Sequence, residues 1–104
     1  MTVHRMTILY GTPADPEAFD RYYRDVHVPI ATAMTELTAW RLHWLDADAE
    51  AASGLHLIAD LVTETPEDMK RMLESEAGKA SSADLDNFVT GTVTFLEGPE
   101  QVLV

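Results

Sequence analysis

Apolar and polar positions alternate along this chain with two periods, one of two residues and one of about 3.6, and the switches between them mark its elements. Val3 to Tyr10 is rich in β-branched and apolar residues and stops at Gly11-Thr12-Pro13, which predicts a strand closed by a turn. Asp15 offers a capping carboxylate, Pro16 suits a first helical position and Glu17 favours the positive end of the dipole, so a helix is expected to start there. Phe19, Tyr22, Tyr23, Val26 and Ile30 fall on one helical stripe. Pro29 removes an amide and disfavours helical angles at Val28, which predicts a break or kink just beyond His27.

Trp40, Leu42 and Trp44 alternate with more polar residues, and a second run spans Leu55 to Val62; between them Asp46 to Gly54 has the composition of an acidic hairpin tip. Pairing Leu42 with Leu57 would gather Trp40, Leu42, Trp44, Leu55, Leu57, Ala59 and Leu61 on one face. Arg41, His43, His56, Ile58, Asp60 and Val62 would share the other, with Arg41 placed diagonally to pair Asp60. Thr65-Pro66-Glu67-Asp68 opens a second helix with Met69, Met72 and Leu73 as its apolar stripe, and Gly78 is expected to interrupt it. Ser81 or Ser82 can cap a further short helix carrying Leu85, Phe88 and Val89. Thr92 to Glu97 reads as a last strand, after which Gly98-Pro99 releases an apolar tail, Val102 to Val104. The order strand, helix, strand, strand, helix, strand is that of a split β-α-β, ferredoxin-like α+β domain with an antiparallel sheet, occupying residues 1–104 as one unit.

Composition narrows the partners. A domain of 104 residues leaves much of its surface exposed unless something covers it, and the face of these strands turned away from the helices is apolar enough to favour a second copy. Eighteen acidic against seven basic residues give a formal charge of −11, which repels nucleic acid and anionic membrane surfaces. Cysteine is absent, so disulfides, thiolate nucleophiles and thiolate metal sites are excluded. The N-terminus lacks the pattern of a signal peptide and no apolar stretch is long enough to span a bilayer, leaving cytoplasmic residence as the default.

His27 is the chemical candidate, because an imidazole beside a helix break and two tyrosines can move protons near neutrality. It lies about 80° round from Phe19 on an ideal helix, at the flank of the stripe. Its alternative role is to cap the last carbonyls of the helix. Tyr10 and Tyr23 offer phenols that could orient a ligand oxygen, and Trp40, Trp44, Met69 and Phe88 could wall a pocket, although packing explains each of them as well. His43 and His56, as cross-strand neighbours, do not make a metal site, since no HxH, HExxH or cysteine cluster supplies further ligands. No glycine-rich phosphate loop or serine nucleophile motif is present.

Tyr10 after a first strand, then Phe19-Asp20, Tyr22-Tyr23, His27 and Pro29-Ile30, and later Ala83-Asp84-Leu85 with Asn87-Phe88, form a pattern that resembles the EthD family of small dimeric α/β-barrel proteins. The resemblance implies a ferredoxin-like subunit that dimerises sheet to sheet, a cavity between sheet and helices, and His27 at that cavity with Asp84 and Asn87 among the binding residues. Relatives by fold include quinol-forming monooxygenases, polyketide cyclases, dehydratases and haem-binding proteins. The expectation is a homodimer that binds a small apolar or aromatic oxygenated molecule and transfers protons through His27 without a cofactor or metal. The alternative is a non-catalytic binding or accessory protein of an oxidative or biosynthetic pathway.

Overall fold

A computed structural model describes all 104 residues, Met1–Val104. Four strands form one antiparallel sheet: β1 (Thr2–Gly11), β2 (Ala39–Trp44), β3 (Leu55–Thr63) and β4 (Val93–Gln101), in the spatial order β2-β3-β1-β4. The helices are α1 (Pro16–Tyr22), α2 (Val28–Ala31), α3 (Ala47–Ser53), α4 (Pro66–Glu74) and α5 (Glu76–Asp84). A π-helical turn, Tyr23–His27, joins α1 to α2, and a 3₁₀ turn, Leu85–Asn87, follows α5. This is the ferredoxin-like α+β arrangement that the order of elements predicts.

The capping signals act as expected. Asp15 accepts from the Ala18 amide and Thr65 from the Asp68 amide, and each is followed by proline at the first helical position. On the sheet, Met6 lies opposite Leu61, Ile8 opposite Ala59 and Tyr10 opposite Leu57, so alternate residues of β1 and β3 present one buried apolar face to the helices. Phe19, Tyr23, Met69, Met72 and Phe88 close that core from above.

Seven local expectations are corrected. The β2–β3 register pairs Leu42 with Ala59 and Trp44 with Leu57, a shift of two residues that preserves which side chains share a face. Arg41 therefore stands directly opposite Asp60, yet Asp60 is held by the Thr7 hydroxyl at 2.7 Å and by Arg5 at 3.5 Å instead. His56 does not face His43. A β-bulge between Tyr10 and Gly11 of β1 leaves Leu55 and Leu57 opposite adjacent residues, and the extra residue, His56, turns to the helix side, where its ring meets Phe19.

The presumed hairpin tip is the helix α3. Asp46 caps it by accepting from the Ala49 amide, alanines fill it, and Gly54 closes it in the left-handed conformation at φ 73°. The second helical stretch breaks at Ser75, whose hydroxyl accepts from the Gly78 amide, and not at Gly78. Neither Ser81 nor Ser82 is a cap, since both lie inside α5. Gly78 is needed for another reason: a Cβ there would collide with the Met72 carbonyl oxygen.

Gly98-Pro99 does not end the last strand either. β4 runs to Gln101, with Pro99 opposite His4. Bonds from the Gly11 amide to the Thr92 carbonyl and from the Val102 amide to the Met1 carbonyl fix which rungs of the ladder are bonded. By alternation, the Pro99 nitrogen points to the open edge, where a missing N–H costs no ladder bond.

Candidate functional site

Pro29 does not break the first helix; it is accommodated by the π turn that precedes it. Proline lacks an amide and its ring crowds the carbonyl four residues earlier. Here the turn widens, with the Val28 amide reaching the Tyr23 carbonyl five residues back, while Tyr22, Tyr23, His27 and Val28 all keep right-handed helical angles. The wider turn inserts one residue into the helical phase, about 100°. Val26 is therefore exposed and Ile30 only half-buried, whereas His27 and Ala31 take the inward positions. The histidine expected at the flank of the stripe stands at its centre, 4 % exposed.

In that position His27 does not cap the helix. Its Nδ1 lies 2.9 Å from Oδ2 of Asp84, at the end of α5, and the pair is buried. The other oxygen, Oδ1, accepts from the Tyr22 hydroxyl at 2.7 Å and from the Asn87 amide at 3.0 Å. Burial alone would push the Asp84 carboxyl up, but the bonds from Asn87, Tyr22 and His27 outweigh it and hold the group below its ordinary range. Tyr22 is shifted the other way, chiefly because its phenol is bonded to that carboxylate.

An ionised carboxylate only accepts, so the proton shared with Asp84 belongs to Nδ1 of His27. Nε2 makes no hydrogen bond within the chain. The ring borders a narrow cavity between sheet and helices, walled mainly by Met6, Ile8, Tyr10, Met34, Leu61 and Leu85. Tyr23 and Phe88 flank the imidazole, each with its ring centroid 5.0 Å away. The Tyr10 ring is 5.8 Å from Tyr23, and burial raises both phenols, Tyr23 to about 12 and Tyr10 further.

The fold thus joins His27 to Tyr23 and Phe88 by ring contacts and to Asp84 and, through it, Asn87 by hydrogen bonds, while of the expected residues only His27 and Tyr10 line the cavity itself. It does not bring every expected wall residue there. Met69 is fully buried in the core under α4, and Trp44 packs against Tyr23 and His56 with the Arg24 guanidinium 4.7 Å over its ring. Neither lines the cavity beside His27; Trp40 does not line it, but lies close to the Tyr23 hydroxyl. Tyr22, Met6, Met34 and Leu85 belong to the site although their spacing reads as ordinary packing. Only the three-residue step from Asp84 to Asn87 signals that a polar pair shares one side of a turn.

Fold and site together define a ferredoxin-like α+β protein with a buried histidine–aspartate pair beside an apolar cavity. Residues 12–92 match the EthD domain, and the chain belongs to the EthD family. It is 32 % identical to an uncharacterized 11.0 kDa protein encoded in the thcB–thcC intergenic region of Rhodococcus erythropolis, over 98 % of this chain and 99 % of the other. Among solved structures, an EthD family protein from Bacillus halodurans superposes with a TM-score of 0.87 at 23 % identity, covering 95 % of this chain and 99 % of that one. A hydroxynitrile lyase from Passiflora edulis shares the fold at a TM-score of 0.73 and 10 % identity, covering 96 % and 94 %.

Proposed function

We propose that this protein is a homodimer that binds a small apolar or aromatic oxygenated molecule and transfers a proton to or from it without a cofactor. One observation carries the proposal: Asp84, saturated by Tyr22 and Asn87, fixes Nδ1 of His27 as the protonated nitrogen and leaves Nε2 as the base. Asp84 orients the ring and stabilises the imidazolium that forms when Nε2 takes a proton. Asp84 is accordingly a positioning residue, and His27 is the catalytic one. The apolar wall excludes water and strengthens each of these interactions.

The fold shared with a hydroxynitrile lyase is consistent with acid–base chemistry on this scaffold, though it transfers no residue role. Dimerisation is supported by the sheet face turned away from the helices, where Leu9 and Ile58 are only half-buried and Leu96 is 52 % exposed. The test is to incubate purified protein with small aromatic and aliphatic hydroxy and keto compounds and follow them by NMR. Turnover that disappears in His27→Gln, with the near-ultraviolet circular dichroism unchanged, is the expected result. Turnover retained in that variant removes His27 from the chemistry, and binding without turnover assigns the site to a carrier.

A further inference from the structure

Three hydrogen-bond donors from three separate elements meet in the apolar layer beneath the helices. Tyr10 comes from β1, Trp40 from β2 and Tyr23 from the π turn. The hydroxyl of Tyr10 and the indole Nε1 of Trp40 both lie close enough to the Tyr23 hydroxyl to bear on its ionisation. Even so, no pair among them reaches hydrogen-bond geometry. The Tyr10 hydroxyl, on a residue only 1 % exposed, and Trp40 Nε1 are buried with no partner in the chain. An indole nitrogen can only donate, and a buried phenol that stays protonated acts as a donor toward any stronger acceptor. Buried polar groups are ordinarily satisfied, so unmatched donors in one region point to an acceptor supplied from outside the chain.

The surroundings define that acceptor. Tyr10 borders the same cavity as His27, and the Tyr23 ring touches both. No lysine or arginine lines this cavity, and the chain carries a formal charge of −11, so a carboxylate or phosphate ester is disfavoured. We infer that the site takes a neutral carbonyl compound, its oxygen held by Tyr10 at the cavity wall with Tyr23 and Trp40 as the donors behind it, and the C–H beside the carbonyl presented to His27. This rests on the proton-transfer role of His27. Nε2 removes that proton, the C–H electron pair becomes the carbon–carbon double bond of an enolate, and the carbonyl π pair moves onto the oxygen that the donors hold. When Nε2 trades that proton for one from solvent and delivers it to the same carbon the result is exchange, and delivery of a proton to a conjugated carbon gives isomerisation. No oxidant or other reactant is consumed.

Acetophenone and cyclohexanone in D₂O are the probes, with loss of the α-proton NMR signals as the readout and benzoate as the anionic control. The wild type should bind and exchange at least one ketone faster than buffer, and should ignore benzoate. Tyr10→Phe and Trp40→Phe should each slow exchange by about tenfold or more. Tyr10→Phe should also be at least as thermostable as the wild type, because the hydroxyl it removes has no partner in the protein. Exchange lost in His27→Gln but unchanged in the donor variants overturns the carbonyl site and leaves the His27 role standing. Exchange lost in the donor variants but retained in His27→Gln overturns the proton-transfer role instead. Absence of binding and exchange with both ketones, preferential binding of benzoate, or a clear loss of stability in Tyr10→Phe overturns the inference.

Discussion

Glu50 reaches from α3 to Nδ1 of His56 at 2.8 Å, while Asp20 of α1 holds Nε2 of the same ring at 2.6 Å. One imidazole thus joins the inserted helix, the bulged strand and the first helix. Both nitrogens face acceptors, so the protonated ring is the form that satisfies every group. Burial works against that charge, but the bonds to Asp20 and Glu50 outweigh it and raise His56 above its ordinary 6.5. Stability from this pair is fully present below 6.5 and is lost as pH rises through the folded-state value. Glu50 is lowered, first by the Thr12 hydroxyl and then by His56, so its contribution is lost instead as pH falls through its folded-state value. Thermal melts from about pH 6 to about pH 9 should therefore show a falling Tm in the wild type. His56→Gln should be less stable near pH 6 and flatter across that window, and equal slopes in the two proteins would refute the assignment.

Asp84→Asn keeps the side-chain shape but replaces two acceptor oxygens with one acceptor and one donor. An amide can keep Tyr22 and Asn87 on its oxygen only by turning its N–H toward Nδ1 of His27, which forces the opposite tautomer and replaces charge-assisted bonds with neutral ones. A loss of about 1–3 kcal/mol is expected, which corresponds to a Tm drop of at least roughly 4 °C for a domain of this size. The downfield ¹H resonance of the His27 Nδ1 proton should shift or disappear. An unchanged resonance would show that Asp84 does not hold the ring.

Gly78→Ala places a methyl group against the Met72 carbonyl and the Leu73 backbone, which cannot yield as a flexible side chain would. Destabilisation of about 1–3 kcal/mol is expected by denaturant titration. Gly98→Ala is the matching control, because a Cβ there meets nothing within 4 Å and the angles are not left-handed. Equal stability of the two variants would contradict the packing of α5 on α4.

Leu9→Glu introduces a charge on the half-buried outer face of the sheet without touching the helix-side core. If a second copy covers that face, the variant should scatter light as a monomer while retaining the far-ultraviolet spectrum of the wild type. A wild type that is itself monomeric at working concentration would end the proposal of a dimer.

What the sequence made legible follows from the range of the interactions involved. Asp15, Thr65 and the alternation along β1 and β3 act over a few residues, and they specify where elements begin and which face is buried. The π turn and the bulge at His56 are single-residue insertions into a period, invisible until the partners are in place. Each moves a histidine by one position, and each histidine consequently finds its carboxylate. The helix α3 was masked by its acidic composition, although Asp46, the alanines and Gly54 form a complete capping pattern. His27 and Asp84 are 57 residues apart in sequence, so only the packing of α5 against α2 could join them. The family resemblance implies that both belong to one site, but the hydrogen bond between them is a tertiary fact.

Pro99 has one more consequence, for the behaviour of the chain in crowded solution. β4 is an edge of the sheet, and an edge offers unpaired amides and carbonyls on which another chain can template itself. With its nitrogen turned outward, Pro99 removes one of those amides, and Glu97 and Glu100 add charge beside it. The half of the strand from Val93 to Leu96 has no such gatekeeper, and Phe95 and Leu96 are about half exposed there. Self-templating is thus blocked at one end of the edge and open at the other, which makes Val93–Leu96 the segment where misassembly would begin.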